Sequence, residues 1–234
     1  MLVYLLMSDK IFTFWEGKMP DYIKLCIDTW RFPFVLLTYD NLHNYTDFDI
    51  ESVKRFTMPQ IADCVRVHAL RDNGGYWLDA DTISISGRFP KEAILGYPER
   101  RTNTIGFLHT QKDSDMFVKW ASYQDSIISM KDSMRSWYIL GNAFTDGYLK
   151  EHKEIDIGLV ENCWPETYMV NGSLTRSQKY GAFYFDCDYH LSDIRHTDIL
   201  MLHNSWTPGW YKALNEKEVL ETKCTLSNIL KEVL

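Results

Sequence analysis

Two periodicities alternate along this chain. Residues 10–15 form a β-branched and aromatic run closed by Glu16-Gly17-Lys18, which predicts a strand. Over 21–30 the apolar positions Ile23, Cys26, Ile27 and Trp30 recur at helical spacing, and Pro33 ends the helix they predict. Residues 34–39 are a second continuous apolar run with Asp40-Asn41 as its turn. The three segments predict a βαβ unit, the opening of a parallel sheet.

The alternation continues downstream. Ile61, Cys64, Val65, His68, Ala69 and Leu70 make a helical stripe over 60–71, with His68 read as a core residue, and Asn73-Gly74-Gly75 stops it with residues that tolerate positive φ. A short strand over 76–78 follows, then a strand over 104–109, a helix over 114–123, a mixed segment over 138–148 containing Gly141, and a late strand over 200–203. Val219, Leu220, Leu226, Ile229, Leu230 and Val233 predict one C-terminal helix over about 216–234, packed on the domain. The expectation is an alternating α/β chain forming a single domain over 1–234, with no repeat, linker or low-complexity segment.

Composition narrows the function classes. A chain of 234 residues that is 45% hydrophobic can bury a substantial core. The formal charge of -7, with scattered Lys and Arg, argues against a nucleic-acid surface. The apolar run over 2–7 is far shorter than the roughly 20 residues that cross a bilayer and lacks the flanks of a signal peptide, so a cytoplasmic chain is expected. Cys26, Cys64, Cys163, Cys187 and Cys224 are widely spread without a CxxC pair, which suits reduced thiols. The sequons at Asn44 and Asn171 are short patterns that arise by chance.

Candidate chemistry centres on Asn73-Gly74-Gly75-Tyr76-Trp77-Leu78-Asp79-Ala80-Asp81. Asp79 and Asp81 sit two apart at the end of the predicted strand, where alternation points both side chains to one side and Ala80 to the other. Two such carboxylates suit Mg²⁺ or Mn²⁺ completed by substrate phosphate oxygens. Asp-x-Asp also occurs in turns and caps. Asp63 and Arg66, three apart on the preceding helix, read either as an ordinary intrahelical ion pair worth about 0.2–0.5 kcal/mol or as charges brought to the metal by the Gly-Gly turn. Leu78-Asp79-Ala80-Asp81-Thr82-Ile83 also fits the D-x-D-x-T pattern of haloacid dehalogenase phosphatases, with Asp79 as phosphoryl acceptor. A third reading is a non-catalytic nucleotide-sugar binding module.

The block Ala62-Asp63-Cys64-Val65-Arg66 through Asp79-Ala80-Asp81 resembles the core of DXD-containing sugar transferases. These are the capsular polysaccharide synthesis glycosyltransferases, the initiating mannosyltransferases and, distantly, the clostridial glucosylating toxins. The resemblance extends to the segment from Lys10 to Trp15, Cys26-Ile27-Asp28-Thr29-Trp30, and Leu202-His203-Asn204-Ser205-Trp206. It implies a GT-A fold, with a Rossmann-like nucleotide-binding sheet and helices on both faces, and a retaining transfer from a nucleotide sugar, such as a UDP-sugar, to a glycan, lipid-linked or protein-linked acceptor. It further implies that Trp15 stacks on the base and that Asp63 and Arg66 hold donor-sugar hydroxyls. Asp79 would meet ribose and metal, and Asp81 would be the main metal ligand. His203 is the candidate for completing the metal shell, with Asn204 and Ser205 as competitors. Asn142 would line the sugar pocket, where Gly141-Asn142 departs from the Gly-Pro of relatives, and Trp206 would cover the diphosphate or stack on a sugar. A site at the inner face of the membrane, reached by peripheral contact, is compatible with this class.

Overall fold

The computed structural model describes residues 10–98, 102–130, 136–159, 175–194 and 198–234. The 2–7 run, Cys163 and the second sequon lie outside them. The other cysteines, Cys26, Cys64, Cys187 and Cys224, are free thiols. The chain divides into two compact units interleaved in sequence, one holding residues 1–16, 32–79 and 91–159, the other 17–31, 80–90 and 160–234.

The first unit is built on a six-stranded mixed sheet. Its strands are β1 (Ile11–Phe14), β2 (Phe34–Leu37), β3 (Gly75–Leu78), β5 (Ile94–Tyr97), β6 (Thr102–Thr110) and β7 (Ile157–Leu159), in the order β2-β1-β3-β6-β5-β7. β1 runs parallel to both β2 and β3, as the βαβ pattern predicts. The parallel run stops there. β6 lies antiparallel to β3 and β5, and β5 is parallel to β7. Hydrophobic patterning locates strands but is blind to their direction, and it did not single out β5 or β7. β2 lies at the sheet edge, which explains why its apolar run is incompletely covered, with Phe34 40% exposed.

Helix α2 (Met58–Asn73) packs on β1 and β3 and against α3 (Asp115–Ser129), and α4 (Asn142–Glu151) packs on β6. α2 begins at Thr57, whose side chain and that of Gln60 form a capping box, with Pro59 in the first turn. It is buried from Ile61 to Leu70 on nearly every side except Ala62, including Asp63, Arg66 and His68. A helix buried all round is a central element. His68 is indeed core, stacked on Phe48 at 4.2 Å, and burial lowers its pKa to about 4. The helix ends at Gly74 (φ 68°) and Gly75 (φ 93°). A side chain on Gly74 would meet the Lys112 amide nitrogen at 2.5 Å, and one on Gly75 would run into the Lys10 carbonyl. Only glycine serves here.

The second unit carries a two-stranded antiparallel ribbon of β4 (Thr82–Ser84) and β8 (Ile199–Met201). Around it lie α1 (Asp21–Asp28), α5 (Arg176–Gly181) continued by a π-helical turn over Ala182–Asp186, α6 (Gly209–Lys212), α7 (Glu216–Glu221) and α8 (Thr225–Val233). The predicted C-terminal helix is therefore two. Thr222 leaves the helical region at ψ 133° and bonds its hydroxyl to the Glu218 carbonyl at 2.7 Å. The Thr225 amide bonds instead to the Cys187 carbonyl at 2.9 Å. Hydroxyls that compete for backbone groups weaken a helix interior, and the break lets α8 pack on both α7 and the π-helical turn.

Candidate functional site

In the first unit, the Gly-Gly turn reverses the chain so that β3 delivers Asp79 beside α2. Arg66 Nη2 lies 3.1 Å from Asp79 Oδ1 and 3.4 Å from Asp63 Oδ1. Its Nη1 donates to the Ile105 carbonyl, and its guanidinium carbon stands 5.2 Å from the Trp77 ring centroid. The Trp77 indole N–H donates to the same Asp79 Oδ1 at 2.8 Å, while the Asp79 amide donates to the Gly106 carbonyl at 2.8 Å. One buried cation thus joins two carboxylates, and an indole pins one of them. The Asp79 side chain keeps 36% exposure, whereas that of Asp63 keeps 9%.

Burial pushes the Asp63 carboxyl up to about 7; Arg66 pulls it down and Asp79 raises it. Such a group can hold or release a proton near neutrality. Gly141, at the N-cap of α4, presses against it: a Cβ there would sit 2.7 Å from Asp63 Oδ2 and 2.5 Å from Ile105 Cδ1. Gln124 Nε2 bonds the Asp63 carbonyl at 3.0 Å and the Leu140 carbonyl at 2.6 Å, tying α2 to the approach of α4. Asn142 spends its amide N–H on the Asn103 carbonyl at 2.9 Å. Trp15 follows β1, its backbone amide bonded to the Leu37 carbonyl at 3.1 Å.

In the second unit, Asp81 precedes β4. Strand alternation does not reach it: β3 ends at Leu78, and Ala80 and Asp81 form a turn before the ribbon. The expectation that alternation aligns Asp79 with Asp81 therefore fails on the backbone path. Asp81 is held from β8 instead. Its carbonyl accepts the Leu202 amide at 3.0 Å, and its Oδ2 accepts the Asn204 amide at 2.6 Å. His203 lies 3.9 Å from Trp206 between ring centroids, and Tyr180 meets both rings edge-on at 5.9 and 5.7 Å. Ser205 is exposed.

The structure thus brings together Asp63, Arg66 and Asp79 in one unit, and Asp81 with the 203–206 turn in the other. No group of three or more His, Cys, Asp or Glu side chains suited to a metal gathers among the described residues. A divalent cation still fits the donors present. Both aspartates offer hard oxygens, Asp79 is partly open and fixed from one side, and Mg²⁺ sites need only one or two carboxylates beside substrate phosphates. Among the described residues Asp79 follows the third strand, not the first, which departs from the dehalogenase placement of D-x-D-x-T.

Sequence reasoning missed Trp77, Gln124, Tyr22 and Tyr180. Trp77 was findable, since it stands two residues before Asp79, near enough for its indole to bond the carboxylate. The others are brought in from distant chain segments and leave no local signal.

Comparison with known proteins agrees with the sequence blocks up to Asp81; the block over 202–206 lies outside the match. The family model described as capsular polysaccharide synthesis protein matches residues 5–192. The chain belongs to that family. Its expected resemblance to the capsular polysaccharide synthesis glycosyltransferases is thereby borne out. A solved structure described as PaToxG Glycosyltransferase is similar at 17% identity and a TM-score of 0.45, covering 63% of this chain and 70% of that one. No curated protein matches. Among the described residues no helix is long and apolar enough to cross a membrane.

Proposed function

We propose that this chain is a metal-dependent, retaining glycosyltransferase of GT-A type. It moves a sugar from a UDP-sugar to a hydroxyl of a glycan, lipid-linked or protein-linked acceptor in surface polysaccharide or glycoconjugate synthesis. Family membership supports the enzyme class. The observation that carries the site is the buried Asp63–Arg66–Asp79 array with Trp77, placed directly ahead of Asp81 in the chain. Burying Arg66 beside Asp63 costs several kcal/mol of desolvation per ion, so a purely structural pair is a poor use of a central helix.

Each residue has a task. Arg66 and Trp77 fix one oxygen of Asp79. Asp63, with a carboxyl near neutrality, accepts from or donates to a sugar hydroxyl, and Arg66 donates to the sugar beside it. Trp15 offers its indole to the base, and Trp206 its ring to the diphosphate or a sugar. Asp79 and Asp81 would hold Mn²⁺ or Mg²⁺, with His203 the candidate third ligand; the bound ion would supply positive charge against the diphosphate leaving group. Retention rests on the resemblance to related transferases.

Thermal unfolding with UDP, GDP and CDP, their sugars, and Mn²⁺ tests the reading. Ligand at about 100 times its Kd adds about 2.7 kcal/mol, a rise of about 5–11 °C for a domain of this size. UDP and Mn²⁺ together should exceed the sum of either alone. If no nucleotide shifts the transition with or without Mn²⁺, and no nucleotide sugar is consumed across an acceptor panel, the proposal fails.

A further inference from the structure

The turn that receives Asp81 is itself anchored from below. The Tyr22 hydroxyl, on α1, donates to Asn204 Oδ1 at 2.6 Å, and the Asn204 backbone amide donates to Asp81 Oδ2 at 2.6 Å. Tyr22 is fully buried, with its ring 5.7 Å from that of Tyr211. The other side of the turn is held by Tyr180, whose hydroxyl accepts the His203 amide at 3.2 Å and lies 3.3 Å from Thr207 Oγ1.

We propose that Tyr22 is a positioning residue for Asp81, acting through Asn204. The phenol occupies the Asn204 side-chain oxygen and fixes the residue, which aims its amide at the carboxylate. Asn204 then serves the site through its backbone amide, while its side-chain oxygen accepts the Tyr22 hydroxyl. The inference rests on the reading of Asp81 as a metal ligand. Outer partners that orient ligands set metal affinity through geometry, without touching the ion.

Mn²⁺ binding, followed by electron paramagnetic resonance of the free ion with and without UDP, provides a readout independent of turnover. Tyr22→Phe, which removes only the hydroxyl, should weaken Mn²⁺ binding on the order of tenfold. Tyr211→Phe is the matched control: its hydroxyl is equally buried and bonds Ser227 Oγ at 3.0 Å, off the path to Asp81. It should bind Mn²⁺ as the parent does. Asp81→Asn should lose binding. The inference is overturned if Tyr22→Phe keeps parental affinity while Asp81→Asn has lost it, or if Tyr211→Phe weakens binding as much as Tyr22→Phe. Parental affinity in Asp81→Asn removes the metal assignment itself, and this inference with it.

Discussion

Arg66→Met separates the energetics of the buried charge array from its chemistry. In the parent, Asp63 titrates near 7 in the folded chain against an ordinary value of 3.8. Between those values the folded state holds a proton that the unfolded state has released. Stability from this group therefore falls as pH rises through that window and is flat above it. Arg66 is the group that pulls the folded value down, so its removal moves that value above 7 and prolongs the fall. The slope is at most about 1.4 kcal/mol per pH unit. At low pH, where Asp63 is neutral in both proteins, the variant loses the Ile105 bond, the Asp79 ion pair and the Trp77 contact, roughly 2–3 kcal/mol together. At mildly alkaline pH the buried carboxyl has no counter-charge, and the deficit grows toward about 3–5 kcal/mol. Urea unfolding of both proteins from about pH 5 to pH 8.5 measures the difference. Adding Asp63→Asn to the variant should remove the extra slope. Parallel stability curves across the whole range would refute the placement of Arg66 as the counter-charge of Asp63.

Gly141→Ala puts a methyl group against Asp63 Oδ2 and Ile105 Cδ1. We expect about 1–3 kcal/mol of destabilisation from overpacking and a fall in kcat larger than any rise in KM, read by urea unfolding and steady-state kinetics. Gly75→Ala combines positive φ with a clash at the Lys10 carbonyl, and should cost more than about 2 kcal/mol, measurable as a drop in midpoint. Asp81→Ala should abolish transfer while costing about 1.5–3 kcal/mol of stability, the worth of the Asn204 amide bond to a carboxylate; retained turnover would remove Asp81 from the site.

The candidate site was legible where it was local. The i,i+3 spacing of Asp63 and Arg66, the Gly-Gly reversal and the Asp-x-Asp run stand within a short stretch, and the structure joins the Asp63–Arg66 pair to Asp79 through the reversal. Their weight was not legible. On a surface helix the pair would be worth little, but α2 is buried nearly all round, and that follows from what packs on it. The alternation argument failed at Asp81 because strand geometry ended at Leu78, a boundary fixed by which strand pairs with which. The C-terminal apolar positions were periodic enough to suggest one helix, while Thr222 and the Cys187 contact made two.

By itself the sequence determined the α/β alternation, the glycines that turn α2 into β3, and the residue types that can bind oxygen-loving cations and phosphate. These depend on φ preferences, periodicity and side-chain chemistry over a few consecutive residues. The tertiary structure decided the direction of β6, the burial of Arg66 between Asp63 and Asp79, and the hold of Tyr22 and Asn204 on Asp81. Tyr22 and Asn204 stand 182 positions apart, and no local preference links them. Their meeting is set by packing, which is a property of the whole chain.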